Sequence, residues 1–363
     1  MARSTDRRIP TMEDIGRRAG VSASTVSRVI NDSVAVDPAT AERVRAAIAE
    51  LGYRPNLLAR SFRRRTTQTI GLLVPDNSNP FFAELARVIE DAGFAEGYNV
   101  ILCNSDLSDV KQQKYVDVLL AKRVDGVIIS SAGLVGVDNG AETVRRIQEA
   151  NVPCVAIDWD LGDFPVDQVL VDNHEGGYLA GRHLMALGHR RMACVVGPSD
   201  LAPSAGRIAG FQQALDEAGL RVASDLLVQG NGRHDGGVTA ARELLRRETD
   251  FTAVFAFNDE MAVGVIGALQ RAGRRVPRDV SVIGFDDIPH ASAMYPSVTT
   301  IAQPIAEMGR LGVQLLLTRL RQPDAPHERV VLSTTLVKRE SSGAVAEPPH
   351  GTSDSDTREE DVA

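Results

Sequence analysis

TMEDIGRRAGVSASTVSRVIN, residues 11–31, reads as two short helices joined by a tight turn. Thr11 is placed to cap the first helix, with Asp14 three residues on to return the favour. Ile15 and Ala19 stand four apart on one face. Gly20 supplies the positive-φ residue that ends the helix, and Ser22 caps the second. At about 100° per residue, Val26, Val29 and Ile30 form the apolar back of that second helix, while Ser24 and Arg28 stand together in front. Small polar groups and one arginine on a short helix suit the major groove of DNA. A plain amphipathic pair with a solvated front has the same periodicity, so the surrounding chain decides.

Downstream, Asp37-Pro38 opens a third helix through Val44, Ile48 and Leu51, and Gly52 closes it. The three helices predict a small helical domain over residues 11–54, after a polar arm at 1–10 expected to be disordered. Pro55 begins a connector, 55–66, carrying LLARSFRRR. Leu58 and Phe62 give it one apolar face among arginines, and it is too short to be stable alone. Residues 1–66 hold 13 arginines against 7 acidic residues, a surplus of six, in a chain whose net charge is −8. The basic head points at a polyanion; the body is acidic.

From Ile70 the period changes. Apolar runs (IGLLVP, YNVILC, DGVIIS, PCVAID, QVLVD, RMACVVG, AVFAFN, SVIGFD) alternate with amphipathic helical stretches. Continuous apolar strands with crossover helices predict parallel sheets covered on both faces. Eight such units are too many for one small sheet and could make a barrel. Residues 342–363 are acidic, Pro- and Ser-rich and are expected to be disordered. Cys103, Cys154 and Cys194 lie singly in apolar runs without metal spacing, which predicts free thiols in a reducing compartment. The apolar runs are strand-length and the N-terminus has no signal-peptide core, so the expectation is a cytoplasmic, nucleoid-associated protein without a membrane partner. No metal and no cofactor is expected.

The order VSASTVSRVIN, LGYRPNLLARSFRRR, IGLLVPDNSNPFF resembles the LacI/GalR family of bacterial repressors, over residues 11 to about 341. The resemblance implies a helix-turn-helix head (11–54), a hinge helix (55–66) and an effector-binding, dimerising core (67–341) of two doubly wound lobes. The N-lobe would span about 67–165 and 301–328, the C-lobe about 166–300 and 329–341. It implies a homodimer on a pseudo-palindromic operator, since residues 343–363 lack the heptad leucines of a tetramerising coiled coil. Ala23, Ser24 and Arg28 would face base edges, with Arg28 reading guanine. Thr25, Ser27, Tyr53 and Arg60 would contact phosphates, Phe62 would wedge into the minor groove, and Thr11, Ser22, Asn31, Asn56 and Arg63 complete the expected DNA-binding set.

In open α/β sheets ligands bind beyond the carboxyl ends of strands. The residues there are Asn79, Phe81, Phe82, Ser131, Asp158, Trp159, Arg207, Asn258, Asp286 and Gln303. Carboxylates, amides and an arginine can hydrogen-bond vicinal hydroxyls, and aromatic rings can cover the C–H faces of a sugar. Singly, each reads as well as a cap, turn or core residue; together, behind successive strands, they make a site. NPFF, NDEMA, GFD and TIAQ resemble the pentose-binding pattern of ribose repressors and ribose-binding proteins. Two features depart from it: Trp159 follows the aspartate of VAIDWD, and no aromatic follows GNGRHDGG. Leu201 and Pro203 stand where a purine-binding member carries its arginine and threonine. A ribose-like pentose or polyol that releases DNA is the expected effector; a nucleoside, purine or hexose stays open. A solute-binding protein shares the lobes but not the basic head. GxxxxGK[ST], GxSxG and HExxH are absent, so the expectation is no enzyme.

Overall fold

A computed structural model of the chain describes residues 10–31, 35–53, 66–130, 141–197 and 202–345. They form two compact units that divide at Thr67.

The first unit is three helices, α1 (Met12–Ala19), α2 (Ala23–Asn31) and α3 (Pro38–Leu51). Ile15, Val26, Val44 and Ala47 meet at its centre. Gly20 (φ 70°) and Gly52 (φ 61°) end α1 and α3 in the left-handed region, as expected. The α1–α2 turn also needs Gly16, because a Cβ there would lie 2.7 Å from the Val21 carbonyl oxygen. The hinge segment, with Asn56, Arg60, Phe62 and Arg63, lies outside the described residues, as do 1–9 of the arm.

The second unit holds two six-stranded sheets. The N-lobe sheet contains β1 (Thr69–Val74), β2 (Asn99–Asn104), β3 (Gly126–Ile129), β4 (Cys154–Ile157), β5 (Asp167–Val171) and β11 (Arg329–Leu332), in the order β11-β5-β4-β3-β1-β2 and all parallel. The C-lobe sheet contains β6 (Met192–Val196), β7 (Leu227–Gln229), β8 (Ala253–Ala256), β9 (Ser281–Asp286), β10 (Thr299–Ala302) and β12 (Thr335–Val337), in the order β12-β10-β9-β8-β6-β7. Its pairs are parallel apart from β10–β12. Both sheets share one winding, with a switch point beside their first strand, β1 or β6.

Helices cover both faces. The N-lobe carries α4 (Pro80–Ala95), α5 (Asp109–Ala121), α6 (Ala141–Glu149) and the later α12 (Ile305–Arg321); the C-lobe carries α7 (Asn173–Ala186), α8 (Ala202–Asp216), α9 (His234–Arg246) and α10 (Asp259–Arg271). A short α11 (Pro289–Ala293) follows β9. α4 packs on α12, and α7 packs on α8. Glycines let the second pair touch backbone to backbone: a Cβ on Gly177 would lie 1.9 Å from the Arg207 carbonyl oxygen, and one on Gly210 1.8 Å from that of His174. Gly177→Ala is therefore expected to push α8 off α7 and cost roughly 1–3 kcal/mol or more, read as a lowered melting temperature by circular dichroism.

Several expected boundaries move. β5 pairs with β4 in the N-lobe, so the chain crosses after Val171, inside the expected crossover near 160–173 but later than the lobe boundary at about 165. β10 pairs with β9 through Ala302, which keeps 301–302 in the C-lobe. The segment 329–341, expected in the C-lobe, divides between lobes: β11 joins β5, Ser333 and Thr334 cross, and β12 joins β10. The core also runs past 341. Ser342 bonds His183 (2.9 Å) and Thr299 (2.8 Å), the Gly343 carbonyl accepts from the His189 ring (3.0 Å), and the Val345 N–H reaches the Leu187 carbonyl (3.0 Å). These groups have partners on the C-lobe, so residues 342–345 do not belong to a disordered tail. Residues 346–363 lie outside the described residues. The three cysteines are buried and free, and burial pushes the Cys154 thiol up to about 12. Among the described residues no helix is long and apolar enough to cross a membrane.

Candidate functional site

Two places concentrate chemistry. In the head, the Thr11 hydroxyl accepts from the Asp14 N–H (3.3 Å), and the Asp14 carboxylate accepts from the Thr11 N–H (2.9 Å). Thr11 is thus committed to the cap. The Ser22 hydroxyl accepts from the Thr25 N–H (3.2 Å) and shares hydrogen bonds with the hydroxyls of Ser24 (2.8 Å) and Thr25 (3.0 Å). This hydroxyl cluster crowns the N-terminus of α2, where unpaired N–H groups attract phosphate. Val26 is buried behind it, while Ser24 and Arg28 are exposed in front. Arg28 makes no ion pair among the described residues, so its guanidinium is free to donate. Ala23, Thr25 and Ser27 are half-buried along the same helix; of Asn31, only its place at the end of α2 is described.

Tyr53 departs from expectation. It is 9 % exposed, and its ring packs in the head core, a structural role beyond the expected phosphate contact. Tyr53→Ala is expected to cost the head roughly 3–5 kcal/mol, seen as early loss of helical signal on heating. Tyr53→Phe keeps the ring, and operator binding is expected to survive it.

The second place is a cleft between the lobes of the core, beyond the carboxyl ends of both sheets. Asn79, Phe81, Phe82, Asp158, Arg207, Asn258, Asp286 and Gln303 all line it. Arg207, 4 % exposed, is its centre. Its Nε donates to Asn173 (2.8 Å), its Nη1 to the Phe257 carbonyl (2.7 Å), and the Asp286 carboxylate lies 3.5 Å from Nη1. The guanidinium is 3.7 Å from the centre of the Phe285 ring and 4.6 Å from that of Phe257. Gln303 donates to Asp286 (2.7 Å). Asp158 follows β4 and Asp286 ends β9, with φ of 55° and 112°, conformations costly for any residue but glycine.

One buried cation serves two carboxylates here. Burial pushes the Asp158 carboxyl up to about 7 and the Asp286 carboxyl up to about 6, against the pull of Arg207. Burial also draws the Arg207 guanidinium down, while Asp286 and Asp158 hold it charged. Asp158 Oδ1 and Gln303 Oε1 are sealed from solvent and have no hydrogen-bond partner among the described residues. Buried acceptors without donors are costly, and a ligand bringing hydroxyl groups removes that cost.

Two cleft residues also fill the structural role that their sequence allowed. Asn79 caps α4 by accepting from the Phe81 N–H (3.0 Å), and Asn258 caps α10 by accepting from the Met261 N–H (2.9 Å). Phe81 is 2 % exposed and meets Phe82 edge to face at 5.0 Å, so Phe82 is the more open ring.

Trp159 does not join the site. Asp158 faces the cleft, while Trp159 packs in the apolar layer of Cys154, Leu161 and Val166. Ser131 lies outside the described residues; its neighbour Ser130 lines the cleft. Asp76, Pro203, Asn231, Arg233 and Phe257 also line it and were not expected. The rule that picked Asn258, position just after β8, applies equally to Phe257.

Comparison with known proteins agrees with both places. Residues 11–56 match the model of bacterial regulatory proteins of the lacI family, and residues 182–342 that of a periplasmic binding protein-like domain. The ribose operon repressor of Escherichia coli (strain K12) is 40 % identical over 334 residues, covering 92 % of this chain and 99 % of that protein. The chain belongs to the LacI family. The HTH-type transcriptional repressor PurR of Vibrio atlanticus (strain LGP32) is 39 % identical over 88 % of this chain and 94 % of its own. Among solved structures, the lac repressor dimer bound to operator and the anti-inducer ONPF is similar with a TM-score of 0.82 at 28 % identity, covering 93 % of this chain and all of that one. A LacI family regulator from Enterococcus faecium with bound ribose has a TM-score of 0.68 at 37 % identity, over 77 % of this chain and all of that one. As a LacI-family member the chain is a DNA-binding transcriptional repressor controlled by a small-molecule effector. The head and the cleft are the two parts that such control requires.

Proposed function

We propose that this repressor binds a pseudo-palindromic operator as a homodimer in the cytoplasm, and that D-ribose or a closely related pentose in the cleft releases it. The observation that carries the ligand class is the buried acceptor pair, Asp158 Oδ1 and Gln303 Oε1, left without donors beside Arg207 and Asp286. A neutral polyol supplies hydroxyl donors to these acceptors and accepts from the guanidinium; Phe82 covers its C–H face. The ribose-named relative and the ribose-bound neighbour point the same way. Ala23, Ser24 and Arg28 read base edges, while Thr25 and Ser27 hold the backbone. Binding without turnover is the whole activity of the cleft.

Titration calorimetry of the purified protein with D-ribose, other pentoses, hexoses, nucleosides and purines tests the ligand. Selective binding of ribose, with release of operator duplex in fluorescence anisotropy, is the expected result. Selective binding of a purine that tightens operator binding would replace ribose as the effector and reverse the direction of control.

A further inference from the structure

Arg233 joins the two lobes at the edge of the cleft. It sits in the C-lobe loop after β7, in the GNGRHDGG stretch. Its Nε donates to Asp76 (2.8 Å) and its Nη2 to Asp106 (2.9 Å), residues that follow β1 and β2 in the N-lobe. β2 and β7 are the edge strands farthest in each sheet from β5, β10, β11 and β12, which carry the lobe crossings. The arginine therefore bridges the lobes at the side away from the hinge, where a given ion pair has the longest lever.

Both halves of the bridge are held ready. On the C-lobe side, Asn231 accepts from the Arg233 N–H (2.9 Å), and Asn258 donates to the Gly232 carbonyl (2.8 Å). Gly232 takes a φ of 80°, and Gly236 leaves room for Asn231, whose Oδ1 would lie 2.0 Å from a Cβ at 236. On the N-lobe side, the second oxygen of Asp76 accepts from the Ser78 N–H (3.0 Å) and hydroxyl (2.6 Å). Asp106 and Leu107 both sit in the left-handed region, and the Leu107 N–H fixes the turn to the Pro75 carbonyl (3.0 Å). Asn258 grips the backbone next to Arg233, and Asp76 and Arg233 line the cleft as Asn258 does, so the bridge and the pocket are contiguous.

We infer that Arg233 is the clasp that holds the lobes closed over the effector, and that effector affinity depends on its pairing with Asp76 and Asp106 as well as on contacts inside the pocket. Apparent affinity scales with the fraction of molecules in the binding-competent form. The Arg233 side chain is 47 % exposed, so salt screens the clasp while leaving Arg207 and Asp286 largely untouched. This inference rests on the cleft being the effector site; its ligand-free test does not.

The test uses the full chain as wild type, Arg233→Ala and Arg233→Lys, at about 50 and about 500 mM NaCl. In ligand-free protein at low salt, amide hydrogen exchange at 104–108 and 230–233 is expected to be several-fold faster in Arg233→Ala than in wild type. Arg233→Lys is expected to fall between them, and high salt to bring wild type towards Arg233→Ala. In calorimetry with D-ribose, Arg233→Ala is expected to lose about tenfold in affinity at low salt and much less at high salt. Exchange equal to wild type in Arg233→Ala overturns the clasp, as does an affinity loss independent of salt. If no pentose binds wild type, the ligand assignment fails and the exchange result alone decides the clasp.

Discussion

Arg28→Ala is expected to weaken operator binding by ~1–3 kcal/mol, roughly 5- to 150-fold, with no change in effector binding or in the melting of the core. Arg28 stands exposed on the front of α2 and spends no ion pair on the protein among the described residues. Its guanidinium presents a fork that matches the two acceptors of guanine in the major groove. Because the contact is to a base, the loss should appear on the preferred duplex and be small on a scrambled one. Anisotropy with both duplexes, using an operator selected by wild type from random sequence, makes the comparison. Equal losses on the two would turn Arg28 into a phosphate contact, which positions without specifying. Ser24→Ala removes one neutral hydroxyl and is expected to cost less.

The head was legible because its signals are local. A cap, a left-handed glycine and an apolar stripe each depend on residues within two turns, so Thr11, Gly20 and Val26 stand where their spacing put them. Strand and helix alternation in the core was legible for the same reason. Which sheet a strand joins is not local. Nothing in the composition of β5 and β11 assigns them to a lobe, and only pairing with β4 and with each other places them. The short crossing at Ser333 and Thr334 carries no glycine or proline to mark it.

The cleft divided in the same way. Asn79, Asp158, Asn258 and Asp286 were legible because a residue that follows a parallel strand must emerge at the carboxyl edge. Trp159 was misread because a tryptophan beside a strand end suits a ligand face and an apolar core equally, and here it packs with Cys154, Leu161 and Val166. Arg233, Asp76 and Asp106 were missed because their meaning lies in a contact across 127 or more residues of chain.

Asp158→Asn is expected to weaken effector binding and to stabilise the protein, and the opposite signs separate a functional carboxylate from a structural one. Asp158 Oδ1 is buried without a partner among the described residues. A hydroxyl donated to a carboxylate is worth about 1.5–3 kcal/mol, so loss of the charge is expected to cost roughly 10- to 150-fold in effector affinity. Folding, by contrast, pays for this carboxylate. Burial lifts its pKa from the ordinary carboxylate range, near 3.8, to about 7, with Arg207 opposing and Asp286 adding to the rise. Between those two values the folded chain holds a proton that the unfolded chain has released, so stability falls as pH rises through that window. Asparagine has no proton to lose, and the variant is expected to melt ~2–5 °C higher at pH 8, with the gain shrinking towards pH 4. Effector binding runs the other way in wild type: ligand hydroxyls favour the ionised form, so affinity should climb from pH 6 and level off above about 7. In Asp158→Asn that climb should flatten, leaving the smaller contribution of Asp286, whose own carboxyl sits at about 6. Calorimetry and thermal melting across pH 5–8 measure both slopes on the same samples. A variant that loses stability as well as affinity would place Asp158 among the groups that hold the β4 turn, and would pass the role of first acceptor to Asp286 and Gln303.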